Sequence, residues 1–529
     1  MRKPILLALT LSLALSVRAQ NNVTEYARTI QAADLEKHLR VLAADDMEGR
    51  ETGTPGQKKA ADYIAKYFAA EGLKPIVKDG DGSLSYFQPF NLYRKSWGDF
   101  YVKAGNQTYQ YGKDFIVNGL MNVPTETAYD VVFVGYGIGS SAYDDYAKLD
   151  VKGKAVVFLD GEPKNSQGAP LAGSGSEWGT SDSWRRKVTL AKDKGASQIF
   201  IVSADSPETF RQMAAQRAVM LNRFNRLTTK PGVEQLTSVG TFLITKEIAV
   251  SLLGTSVDKL DKAVDQIAKS GKTTAGSLKG NVHVKAERRE EAVETANVMG
   301  FVEGSDKKDE VLIISAHYDH IGISPDGQVN NGANDDGSGT VTVMEIAQAF
   351  AKAKAEGNGP RRSILFLTVT GEEKGLLGSQ YYADTAPVLP LTNTVCNLNI
   401  DMVGRVDNLH EGKSENYIYV IGSDKLSSEL HQISENANLK HVEMELDYKY
   451  NDPADPERIY YRSDHYNFAK HKIPVIFYFN GLHADYHRPG DDVEKINFAL
   501  AEKTARLVFY TAWEVANRDN RPVVDSNKP

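Results

Sequence analysis

VLIISAHYDHIGISPDGQVNNGANDD, residues Val311 to Asp336, is the stretch from which both fold and chemistry can be read. Its opening, Val311–Ser315, is apolar and β-branched, the composition of a strand buried on both faces. That strand delivers His317 and Asp319 just past its end. A His-x-Asp pair there suits an imidazole that binds a metal through one nitrogen and is held by a carboxylate through the other. Taken alone, such a pair at a strand end more often serves plain hydrogen bonding. The Gly- and Asp-rich loop that follows sets Asp335 and Asp336 immediately before a helix expected from about Ser338. Adjacent acids in that place also serve simply as charges at a helix start.

Outward from this stretch, the chain from Val282 alternates strand, loop and helix. Strands are expected at Val311–Ser315, Ser363–Thr370, Thr394–Ile400, Tyr417–Ile421 and Pro474–Phe479. Helices are expected at Thr340–Lys354, Leu376–Ala383, Ser427–Ala437 and Phe498–Asn517. Such alternation predicts an α/β fold, a three-layer αβα sandwich around a mostly parallel sheet. Towards the N-terminus, Asp34–Lys74 reads as two helices. Leu35, Leu39 and Leu42 share one face; Ala60, Ile64, Tyr67 and Phe68 share another. The turn-rich loop Glu48–Gly56 separates them.

Between these regions the character changes. Short strands (Val131–Val134, Lys154–Leu159, Gln198–Val202) alternate with helices (Arg185–Gly195, Glu208–Asn222, Ser256–Lys269), and a Lys-rich, small-residue linker closes the segment at Lys279. We therefore expect residues 20–94 and 280–529 to be two parts of one catalytic domain. Residues 95–279 are expected to be an inserted mixed α/β domain with no catalytic residues of its own.

Composition narrows the classes. A chain of 529 residues exceeds one ordinary core. Hydrophobic content of 41% and charged content of 25% are those of a globular protein. A net charge of −7 and a pI near 6.0 give no electrostatic reason to expect nucleic acid or an anionic membrane as partner. Arg2 and Lys3 precede the apolar run Pro4–Val17 and then Val17-Arg18-Ala19, the pattern of a secretory signal cut after Ala19. The expected location is periplasmic or secreted. The run is short for a bilayer span, so no stable membrane insertion is expected after cleavage. No feature of the sequence specifies an oligomeric state. Cys396 is the only cysteine, which rules out an internal disulfide and a Cys-rich zinc cage. Within an apolar strand it reads as an inert thiol.

In open α/β sheets, ligands bind outside the carboxyl ends of the strands. His317, the pair Glu372–Glu373, Asp401 and His487 each follow a different expected strand. Singly, each has an ordinary reading as a cap or a loop charge. Jointly they bring several carboxylates to one sheet edge, where they would repel unless a cation joined them.

The motifs SAHYDHIG (Ser315–Gly322), GANDDGSG (Gly332–Gly339), GEEKGLLGS (Gly371–Ser379), NIDMVGR (Asn399–Arg405) and YHRPGDD (Tyr486–Asp492) together resemble the zinc aminopeptidase family that includes aminopeptidase Y and the glutamate carboxypeptidases. They occur in the family's order. Arg50–Gly56 resembles that family's opening segment. Tyr143–Tyr146 and Asp150–Lys154 are similar to the protease-associated domain often inserted in these enzymes.

The resemblance implies two Zn2+ ions bridged by Asp335. His317 and Asp401 would complete one ion, Glu373 and His487 the other, with Asp319 orienting His317. Two dications against three carboxylates and two neutral imidazoles leave a single positive charge, which a hydroxide would neutralise. A metal pair about 3.5–4 Å apart clamps a carbonyl oxygen and an attacking oxygen together. Glu372 adjoins a ligand but is not needed as one, so it is the expected proton carrier between water and departing amine. Tyr486 matches a position that steadies the oxyanion in some relatives. Asp464 and His465 resemble a recurrent segment that supports the substrate pocket, and His320 is expected to stand outside the ligand set. The implied activity is removal of the N-terminal residue from peptides. A carboxypeptidase or dipeptidase on the same site, a glutaminyl cyclase, and a non-catalytic receptor-like protein are the alternatives.

Overall fold

The computed structural model describes residues 23–526 apart from 120, 174, 176, 181, 224–226 and 233–236. The expected signal segment and its cut after Ala19 lie outside the described residues. The chain gathers into two compact units, one comprising the chain up to Leu92 together with Val293 onward, the other Tyr93–Ala292.

In the first unit the sheet runs in the order Glu445–Asp447, Tyr417–Ile421, Val475–Phe479, Thr394–Ile400, Lys307–His317, Arg362–Val369, and then the end of Lys279–Val302. The central pairings of Lys307–His317 with Arg362–Val369 and with Thr394–Ile400, and of Thr394–Ile400 with Val475–Phe479, are all parallel. Antiparallel neighbours flank them: Tyr417–Ile421 on Val475–Phe479, and Val298–Val302 on Ile364–Thr368. The sheet is therefore mixed, with a parallel centre.

Period-two alternation divides the central strand between two cores. Leu312, Ile314 and Ala316 join a core with Leu35, Leu39, Ile64, Phe68 and Leu507, on the helices Ala32–Leu42, Pro55–Ala70, Gly339–Ala355 and Phe498–Asn517. Val311 and Ile313 pack on the other face, with Leu365, Leu367, Tyr382 and Phe468. Each side chain so buried is worth about 1.5–3 kcal/mol. Helix Gly339–Ala355 is apolar nearly all round because it lies under this core rather than at its surface. Three helix starts of this unit are fixed by side-chain caps: Thr54 accepts from Gln57 N ahead of Pro55, Ser427 from Leu430 N, and Asn497 from Leu500 N.

Two expectations fail locally. Leu376–Ala383 is not one regular helix; it is a short α-turn, Leu377–Gln380, continued as a wider turn, Tyr381–Thr385. Lys279–Val302 is one long strand, a length that its many charges conceal. Val282, Val284 and Ala286 are buried at alternate positions while the intervening polar residues face outward.

The second unit is built on four parallel neighbours. Val123–Phe133, Ala155–Leu159, Gln198–Val202 and Gly240–Ile244 pair in parallel, in that order. Phe100, Phe115, Phe200 and Phe242 fill the core on one side.

Candidate metal centre

The carboxyl ends of the central strands of the first unit hold a dense cluster of acids and imidazoles. His317 closes its strand, and its Nε2 lies 3.4 Å from Asp335 Oδ1, 3.7 Å from Asp401 Oδ1 and 3.8 Å from Glu372 Oε2. Asp401 follows directly on Thr394–Ile400. Glu372 and Glu373 stand in the turn after Arg362–Val369. His487 arrives on a loop with φ of 57°, its Nε2 2.9 Å from Glu373 Oε2 and 3.1 Å from Asp335 Oδ2. Asp335 thus faces both histidines, one with each oxygen. The peptide bond between Asp335 and Asp336 is cis.

Surrounding groups hold these residues in place. Asp336 is buried and accepts from the backbone N–H groups of His317, Gly339 and Met402, so it pins the strand end, the helix start and the Asp401 turn together. Asp491 Oδ2 accepts from the N–H groups of Asn334 and Asp335, both at 3.0 Å. Asn399 donates to Ser463 Oγ, which donates to Asp401 Oδ2 at 2.7 Å. Arg50, fully buried, donates to the carbonyls of Leu42, Tyr318, Asn331 and Gly332, tying the early loop beneath the Asp335 loop.

The electrostatics are those of a site short of positive charge. Burial opposes a proton on His317, but Glu372 and Asp401 outweigh it and hold its pKa well above the ordinary value. His487 is likewise pushed up to about 10, against burial, by its bonds to Asp335 and Glu373. Burial lifts Glu372 well above the usual carboxylate range. Asp335 Oδ2 is buried, with no well-aligned hydrogen bond beyond the approach of His487 Nε2. Protons are held here where a dication would serve better, and N/O donors with no sulfur are a set that zinc accepts. Among the described residues, two groups could each hold a metal ion: His317, Glu372 and Asp401, and His320, Asp335 and Glu373. The residues present fit such ions.

All seven residues expected at the metal site from the sequence converge here, with one change of detail. His317 Nδ1 meets the main-chain carbonyl of Asp319 at 3.0 Å, whereas the Asp319 carboxylate is 3.8 Å away. That carboxylate instead accepts from Thr52 Oγ1 and from Glu372 N. Tyr486 stacks on His487 with ring centroids 3.9 Å apart, and its hydroxyl accepts from Arg462 at 3.4 Å. It lines a pocket with His317, Glu372 and Asp401, walled by Met402, Ile459, Phe477 and Leu482.

Asp464 and His465 do not line this pocket. Both are wholly buried: Asp464 accepts from Ser379 Oγ, and His465 stacks on Phe477. Burial lifts Asp464 to about 7 and lowers His465 to about 3, so they act on the pocket only through what they support. His320, expected to be no ligand, lies within the cluster, with Nδ1 2.8 Å from Glu373 Oε1. Arg50 was equally invisible as a contributor, since a lone arginine in a turn carries no sign of the carbonyls it will meet. Asp491 had a signal, as the first acid of the Tyr486–Asp492 motif.

Residues 297–512 match peptidase family M28. Among curated relatives, an aminopeptidase of Bacillus subtilis is 28% identical over 41% of this chain and 43% of its own. A probable zinc metalloprotease of Leptosphaeria maculans is 35% identical over 27% of this chain and 34% of its own. Leucine aminopeptidase 2 of Trichophyton equinum is 26% identical over 42% of this chain and 45% of its own. The chain thus spans less than half the length of these relatives. Among solved structures, the aminopeptidase from Aneurinibacillus sp. strain AM-1 aligns over 95% of this chain and 98% of its own, at 18% identity and a TM-score of 0.47.

Proposed function

We propose, from the match of residues 297–512 to peptidase family M28, that the protein is an exported dizinc exopeptidase that removes the N-terminal residue of peptides. The observation that carries the proposal is the sharing of Asp335 between two histidine–carboxylate groups, with Glu372 beside them in one pocket. In this reading His317 and Asp401 would hold one ion, Glu373 and His487 the other, and Asp335 would contribute to both. Zinc bound there supplies Lewis acidity towards the scissile carbonyl and makes water a stronger acid.

The chain's own residues supply the rest. Glu372 takes a proton from the attacking water on its carboxylate and returns it to the departing amine. Tyr486 keeps its phenol proton, because burial and the nearby Asp335 and Glu373 raise its pKa. With Arg462 donating to its oxygen, its own hydrogen is free for the developing oxyanion. The Asp319 carbonyl receives Nδ1–H of His317, which leaves Nε2 as the lone-pair donor. The apolar pocket wall suits an uncharged side chain.

Relatives named as aminopeptidases support cleavage at the amino end; a carboxypeptidase or dipeptidase could use the same centre. The second unit is read as a protease-associated domain from its Tyr143–Tyr146 and Asp150–Lys154 motifs. Metal analysis of the purified protein tests the ligand set. Two zinc ions per chain are expected, with one lost in His317→Ala, one in His487→Ala and both in Asp335→Ala. A single ion in the wild type, or two retained in Asp335→Ala, would overturn the bridged pair.

A further inference from the structure

We infer that His320 is a positioning residue for the metal centre: it fixes Glu373 by one oxygen so that the other faces the metal. This rests on the reading of Glu373 as a ligand. His320 is wholly buried, and its place is built rather than incidental. Its backbone N–H donates to the Arg50 carbonyl at 3.2 Å, and its backbone bridges Glu51. Its ring lies against Gly332, where an added Cβ would stand 2.5 Å from both Cγ and Cδ2. Gly332 also has φ of 56°, so only glycine leaves both the space and the conformation at no cost.

The ring addresses Glu373 from the side away from His487. Nδ1 is 2.8 Å from Glu373 Oε1 and 3.7 Å from Asp335 Oδ2, while His487 Nε2 is 2.9 Å from Glu373 Oε2. Each oxygen of Glu373 therefore has its own histidine. The approach of Nδ1 is oblique, and neither it nor Oε1 has a hydrogen bond of straight geometry to any other group. The contact is electrostatic first, between a buried donor and a buried carboxylate that have no better partner among the described residues. A carboxylate ligand left free to turn about its last bond spreads its charge over several orientations. An outer partner on one oxygen removes that freedom, and such partners are worth about 10–100-fold in metal affinity.

The test compares His320→Leu with His320→Asn, two side chains with the same number of heavy atoms branched at Cγ, of which only Asn offers an N–H near the Nδ1 position. The purified full-length protein is titrated with zinc against a chromophoric chelator. X-ray absorption reports the number of imidazoles per zinc, and melting in excess chelator establishes that each variant folds. Wild type is expected to bind two ions. His320→Leu should bind one of them about 10–100-fold more weakly, and His320→Asn should regain most of that loss with the imidazole count unchanged. Unaltered affinity for both ions in His320→Leu would overturn the proposal. So would a His320→Asn variant no better than Leu with one imidazole fewer per chain, since His320 would then be a ligand itself. Should His320→Leu not fold, His320→Ala is read in its place. A wild type that binds fewer than two ions would instead strike at the bridged pair, whatever His320 does.

Discussion

At the scale of single residues, function is concentrated in a division of labour between neighbours. Glu372 and Glu373 are adjacent in sequence, yet Glu373 lies between two histidines while Glu372 opens on the pocket. Glu372→Gln should keep both metal ions and lose turnover by about 10²–10⁴-fold, the usual worth of a positioned general base. Parallel metal analysis and kinetics check this; loss of metal in the variant would make Glu372 a ligand. The residues that contribute through charge type and strand position were legible in the sequence, because a carboxyl sheet edge collects whatever follows each strand. His320 was not, because it lies in irregular chain after the strand has ended, where no periodicity assigns a side chain to a face. Arg50 was not, because its partners are main-chain carbonyls, which have no sequence signature.

At the scale of elements, helices Ala32–Leu42, Pro55–Ala70 and Gly339–Ala355 enclose a polar cluster inside an otherwise apolar core. Tyr67 donates to Glu345 Oε1 at 2.9 Å, and His38 Nε2 lies 3.5 Å from the same oxygen. Burial raises Glu345 to about 7 and lowers His38 to about 4. Their effects on stability have opposite signs. The raised Glu345 contributes stability that is full below its ordinary pKa of 4.5 and is lost as pH rises through about 7. The depressed His38 contributes stability that is present above 6.5 and is lost as pH falls towards 4. Glu345→Gln isolates the first effect. The variant should gain on the wild type between pH 5 and 7.5 by about 1–3 kcal/mol, read as a growing difference in melting temperature. A difference that stays flat across that range would contradict the assignment. Strands and helices with clean apolar periods, such as Thr394–Ile400 and Phe498–Asn517, could be placed to the residue from sequence. Lys279–Val302 could not, because charged side chains on its outward positions mask the alternation beneath.

At the scale of the whole molecule, the chain gathers into one compact unit assembled from two separated segments and a second unit with its own hydrophobic core. In the first unit the early helices are thus separated in sequence from the central strands by the segment Tyr93–Ala292. The change of pattern after Tyr93 lies beside the start of the second unit, whereas the return expected at residue 280 lies inside the continuous strand Lys279–Val302, ahead of Val293 where the first unit resumes. Among the described residues no helix is long and apolar enough to cross a membrane. If Pro4–Val17 is a cleaved signal, intact-mass measurement of the exported protein should place its first residue at Gln20; a mass that includes the first nineteen residues would exclude that cut. The central claim is tested most directly by incubating the protein with a pool of unblocked peptides and following their masses over time, with and without chelator. The account predicts stepwise loss of single residues from the amino end, abolished by the chelator and restored by zinc. Loss from the carboxyl end, or trimming that the chelator leaves untouched, would contradict it.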